Sequence, residues 1–125
     1  MILIDTSVLI DFLRGRMDLP EDICFTTITF YELFWKATEK NATKELKIIK
    51  EIFALFPVFS FDLKAAEQAS IIKAKLQKAG LDVSPFDVLI AGIATANGIE
   101  EIWTKDSDFK EIEKFVDIKV KIFEL

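Results

Sequence analysis

Four acidic residues in this chain sit beside or within apolar runs. Asp5 closes Ile2-Leu3-Ile4, and Glu32 lies inside Phe30-Tyr31-Glu32-Leu33-Phe34-Trp35. Asp87 is set in Phe86-Asp87-Val88-Leu89-Ile90, and Asp106 follows Glu101-Ile102-Trp103-Thr104 closely. A carboxylate in such a run is costly to bury unless it has a partner. Carboxylates that converge can hold a hard divalent cation, each ion taking one or two of them plus water and phosphate oxygens. Such a site activates water and stabilises a leaving oxygen, so the chemistry these residues suit is phosphodiester hydrolysis. Each acid also has a simpler use. Asp5 can cap a helix starting near Thr6, Glu32 can face solvent, Asp87 can serve a helix dipole, and Asp106 can be a turn residue beside a capping Asp108. The joint occurrence of all four favours the metal site.

Composition narrows the chemistry further. The chain has no histidine, which removes Ser-His-Asp and Cys-His nucleophile pairs and His-ligated zinc. A site built from carboxylates, hydroxyls and lysine selects hard ions, with Mg²⁺ or Mn²⁺ expected. The single cysteine, Cys24, leaves no internal disulfide and suits a reducing compartment. No apolar run approaches the roughly 18 residues of a membrane span. Asp5 and Asp11 interrupt the only N-terminal apolar stretch, so no signal peptide is read and a cytoplasmic protein is expected. A net charge of −5 opposes broad binding to nucleic acid, but without the four candidate acids it would be only −1.

The elements that must position these residues follow from the pattern. Ile2–Ile4 and Ile23–Thr26 read as short buried strands, separated by a helix carrying Val8, Leu9, Phe12 and Leu13 and a polar loop from Gly15 to Asp22. Thr27 or Thr29 can cap the next helix, whose apolar face is Phe30, Leu33, Phe34 and Ala37. Residues 42–56 predict an amphipathic helix ended by Pro57, and residues 58–61 a third strand. Asp62 caps a helix predicted to reach Lys78, where Ala79-Gly80 stops it. Ser84-Pro85 opens a helix over residues 86–97 that is apolar nearly all round, hence buried. Residues 101–104 form a fourth strand, 107–115 a short helix and 119–123 a last strand. Strands alternating with helices predict a three-layer α/β/α domain over residues 1–125 with a parallel sheet of about five strands. Asp5, Glu32, Asp87 and Asp106 would then share one edge of the sheet.

Asp5-Thr6-Ser7, the lone Glu32, Ser84-Pro85-Phe86-Asp87 leading into Leu89-Ile90-Ala91, and Thr104-Lys105-Asp106-Ser107-Asp108-Phe109 together resemble the PIN domain. Length and motif order are similar, more narrowly, to VapC, the ribonuclease toxin of VapBC toxin–antitoxin modules. The resemblance implies a Mg²⁺- or Mn²⁺-dependent endoribonuclease that acts on RNA. It also implies a homodimer, held in check by a VapB-like antitoxin whose tail enters the acidic groove. By family pattern Asp5, Glu32, Asp87 and Asp106 are the metal-site acids, Ser7 and Thr104 support them, and Asp108 is an accessory acid. Arg14, Arg16, Lys36 and Lys40 are the basic residues nearest the site in sequence. The dimer is expected to close over Phe30, Tyr31, Phe34 and Trp35 of one helix and Leu46, Ile49 and Phe53 of the next, more apolar surface than one small domain can enclose. Two rivals are a phosphoacceptor receiver domain using Asp5, Asp62, Thr104 and Lys105, and a catalytically silent PIN scaffold.

Overall fold

A computed structural model describes residues 1–124. The chain runs β1 (Ile2–Ile4), α1 (Thr6–Leu13), β2 (Ile23–Thr26), α2 (Thr27–Glu39), α3 (Thr43–Leu55), β3 (Val58–Phe59), α4 (Leu63–Lys78), α5 (Pro85–Ala96), β4 (Glu101–Thr104), α6 (Asp108–Glu113) and β5 (Lys119–Ile122). The five strands form one sheet in the order β3-β2-β1-β4-β5, and every pairing is parallel. The chain winds outward from β1 in one direction to β3, then crosses back to β4 on the other side. Where the winding reverses, between β1 and β4, the carboxyl ends of the strands leave a crevice.

Strand side chains alternate between the two faces, and the core follows that alternation. Leu3, Cys24, Ile102 and Val120 face a layer made by α4, α5 and α6. Ile4, Ile23, Phe25 and the half-buried Trp103 face a layer made by α1, α2 and α3. With both faces covered, the inner strands carry apolar residues in succession, which is why they read as continuous apolar runs. Helix α5 lies against α4 at van der Waals distance because Gly92 has no side chain. A Cβ there would meet Ala69 Cβ at 2.6 Å and the Ala65 carbonyl oxygen at 2.7 Å.

Several details differ from the sequence reading. The cap of α2 is Thr26, whose hydroxyl accepts from the Thr29 amide at 3.1 Å. Neither Thr27 nor Thr29 takes that role, since the helix begins one residue earlier than the apolar spacing suggests. Strand β3 is only two residues long, because it pairs with β2 alone and its ladder ends with that pairing. Helix α6 spans Asp108–Glu113, shorter at both ends than residues 107–115. Asp62 caps α4, accepting from the Ala65 amide at 2.9 Å. The aromatic side chains on α2 and α3 largely cover one another within the chain. Phe30 stacks on Phe34 at 4.8 Å and meets Phe53 edge-on at 5.2 Å, and Phe25 lies 4.7 Å from Phe53. Tyr31, Trp35, Ile48 and Leu55 are the large apolar residues of these two helices that stay exposed.

Candidate metal centre

Asp5 follows β1 directly, and its amide still pairs with the Trp103 carbonyl of β4 at 2.9 Å. Its backbone is extended at the N-cap position of α1, yet its side chain makes no cap hydrogen bond. The carboxylate turns instead to the crevice, where the Thr104 hydroxyl donates to Oδ2 at 2.7 Å and the Ser7 hydroxyl at 3.1 Å. Both hydroxyls also accept: Thr104 from the Asp106 amide at 3.0 Å, and Ser7 from the Lys105 amide at 2.9 Å. One carboxylate and two hydroxyls thus tie β1, α1 and the turn after β4 into a single arrangement.

Asp87 enters from the first turn of α5, held there by Pro85 at the helix start. Ligand atoms of Asp87, Asp106 and Asp108 lie within 4.8 Å of one another. Asp106 Oδ1 accepts from the Asp108 amide, and Asp108 Oδ2 accepts from the Ser84 amide, each at 2.9 Å. Asp108 therefore fastens the start of α5 to the start of α6, and it does not cap its own helix. Glu32 lies on the opposite flank, where the Thr6 hydroxyl donates to Oε1 at 2.8 Å. Asp5 stands between the two groups, its charge acting on Asp87 and Glu32's charge acting on it. The structure thus draws Asp87, Asp106 and Asp108 into the tightest group, with Asp5 beside them and Glu32 beyond.

Burial dominates the electrostatics. Asp87 is only 7% exposed, and its Oδ2 is buried without a protein partner. Desolvation first, then a hydrogen bond shared with Asp106 and the charges of Asp5, Asp106 and Asp108, push its carboxyl up to about 9. Asp5, at 4% exposed, is raised to about 6 by desolvation, opposed by its Thr104, Thr6 and Ser7 hydrogen bonds. No lysine or arginine among the described residues pairs with Asp5, Asp87, Asp106 or Asp108, and these acids lack a protein counter-charge. An orphaned buried carboxylate oxygen within an all-oxygen donor set fits a hard divalent cation.

One feature of the site was not legible as chemistry in the sequence. Asp11, which reads there only as a polar interruption, is 1% exposed and pairs with Lys105 Nζ at 2.7 Å and Arg16 at 3.3 Å. The Lys105 ammonium beside it is the main reason its carboxyl stays below the ordinary range despite burial. The spacing of Ser7 and Asp11 on one face of α1 is the signal that could have found it. Elsewhere, Arg14, Lys36 and Lys40, with Glu45 as the one acid, line a cleft of about 370 Å³ together with Ile10, Leu33 and Ile49, between α1, α2 and α3.

A parallel α/β sheet with acids gathered at its topological switch point defines a protein of the carboxylate-site class. The PIN domain profile matches residues 2–115. Ribonuclease VapC3 of Methanocaldococcus jannaschii is 37% identical over 95 residues, covering 72% of this chain and 94% of that protein. The tRNA(fMet)-specific endonuclease VapC of Salmonella typhimurium is 26% identical over 113 residues, 89% of this chain and 83% of its own length. Among solved structures, the DNA-bound VapBC of Salmonella typhimurium superposes with a TM-score of 0.82 at 24% identity, covering 97% of this chain and 96% of that one. The chain belongs to the PIN-domain family, on its VapC branch.

Proposed function

We propose that this protein is a metal-dependent endoribonuclease and the toxin half of a toxin–antitoxin pair. The observation that carries this is the group of buried Asp87 and part-buried Asp106 and Asp108 beside buried Asp5, without a paired lysine or arginine among the described residues. Asp5, Asp87 and Asp106 would hold Mg²⁺ or Mn²⁺, with Asp108 and Glu32 at its margins. When bound, the metal supplies charge stabilisation to the phosphodiester and lowers the pKa of a bound water. The chain's own residues prepare that site. Thr104 and Ser7 fix the Asp5 carboxylate by both donating to Oδ2. The short tie from Asp108 to Ser84 fixes the approach of Asp87. Glu32, oriented by the Thr6 hydroxyl, would accept a proton from an attacking water.

RNA is the proposed substrate, as the names of the VapC relatives suggest, and a VapB-like antitoxin the proposed partner. The cleft lined by Arg14, Lys36 and Lys40 supports a partner that is apolar along one face and acidic along its edge. A homodimer is also proposed, over a smaller patch than sequence suggests, because Phe30, Phe34 and Phe53 are already partly buried in the core. The receiver reading loses its phosphoacceptor, since the Asp62 carboxylate is engaged as the cap of α4.

The test is cleavage of a mixed-sequence RNA by the purified protein. Activity with Mg²⁺ or Mn²⁺, abolished by chelator and by Asp5→Asn or Asp106→Asn in a folded protein, is the expected result. Undiminished cleavage in excess chelator would overturn the mechanism.

A further inference from the structure

The pair of buried Asp11 and part-buried Lys105 lies outside the acid group, yet Lys105 is part of the turn that carries Asp106. That turn is fastened to α1 twice. The Lys105 amide donates to Ser7 Oγ at 2.9 Å, and the Lys105 ammonium reaches Asp11 Oδ2 at 2.7 Å, one helical turn further along. Arg16 also lies on Asp11, at 3.3 Å, so one carboxylate that is 1% exposed faces two cations. The four neighbouring acids, by contrast, have no lysine or arginine within pairing distance among the described residues. Lys105 sits between Thr104, which bonds Asp5, and Asp106. It is the cation with the shortest tether to the crevice, and a flexible ammonium there would satisfy the orphaned Asp87 oxygen. Asp11 removes that option by holding the ammonium one helical turn along α1 from Ser7.

We propose that Asp11 is a positioning residue that keeps the Lys105 ammonium out of the acid group, so that the group's negative charge is left for a divalent metal. A buried carboxylate in α1 then has a use in the site, although it touches neither metal nor RNA. The inference rests on the proposed metal site, and the same experiment separates the two.

Mn²⁺ is titrated calorimetrically into the wild-type protein, Asp11→Asn, Lys105→Met and the double variant, with the melting temperature followed in parallel. Asp11→Asn frees the lysine and is expected to weaken Mn²⁺ binding about tenfold, the scale of one like charge brought close to the ion. Adding Lys105→Met removes the competing cation and should return the affinity to within about threefold of wild type. Asp11 acting only as a structural tether predicts instead that the double variant binds as weakly as Asp11→Asn, and that result would overturn the proposal. Should Asp11→Asn fail to fold, Lys105→Met alone decides: affinity equal to or tighter than wild type supports the proposal, and weaker binding refutes it. A wild-type protein that takes up no Mn²⁺ would overturn the metal reading, and this inference with it.

Discussion

Asp87→Asn should make the metal-free protein more stable at neutral pH, although it alters a polar group at the centre of the site. The Asp87 carboxyl has an ordinary value of 3.8 and is pushed up to about 9 in the fold. A carboxyl raised on folding binds its proton more tightly when folded. Below the ordinary value both states are protonated and nothing is lost. As pH rises from about 4 toward 9, the unfolded chain releases the proton while the folded chain keeps it or carries an unsolvated charge, so stability falls across that window. At about 1.4 kcal/mol per pH unit, the loss reaches about 4 kcal/mol by neutral pH. The asparagine side chain cannot ionise, and its amide can still donate to Asp106 as the shared proton does. The variant should therefore melt about 15 °C above wild type in chelator at about pH 7, with the gap closing near pH 4. Thermal unfolding in chelator across that range is the assay. Saturating Mn²⁺ should reverse the order, because wild type gains stability by mass action and the variant lacks a proposed ligand. A variant less stable than wild type at every pH would refute the claim that burial strains this carboxyl.

Three further outcomes follow from the packing. Gly92→Ala places a methyl 2.6 Å from Ala69 Cβ and 2.7 Å from a helix carbonyl, so α4 and α5 must part. Urea unfolding should register a loss of about 1–3 kcal/mol. Thr104→Val deletes the donor to Asp5 and the acceptor of the Asp106 amide, and should cost about 1–3 kcal/mol in unfolding and weaken Mn²⁺ binding measured by calorimetry. Trp35→Glu charges a half-exposed ring of α2, and sedimentation should show a folded monomer at concentrations where the proposed dimer forms in wild type.

The sequence made the fold legible where one physical rule acted alone. Runs such as Ile2–Ile4 and Glu101–Thr104 had to be inner strands, and the apolar helix beginning at Pro85 had to be buried. Legibility failed where neighbours compete or partners lie far apart. Thr26, Thr27 and Thr29 all suit a cap, and only the register of β2 selects Thr26. The aromatics of α2 and α3 looked too numerous for one chain because spacing cannot reveal that Phe30 stacks on Phe34 and meets Phe53 edge-on. Within the site, spacing marks the acids but not their grouping. Asp108 joins Asp87 and Asp106 because the turn into α6 brings it round, while Glu32 is drawn aside by Thr6. Asp11 was hidden because its partner Lys105 comes from the other end of the chain.

The most direct test of the metal centre is a crystal of the protein soaked in Mn²⁺, with anomalous scattering recorded to locate the ion. A peak within coordinating distance of Asp5, Asp87 and Asp106, absent from the Asp87→Asn crystal, is the expected result. Crystals that diffract well at saturating Mn²⁺ and show no ion among these carboxylates would contradict it.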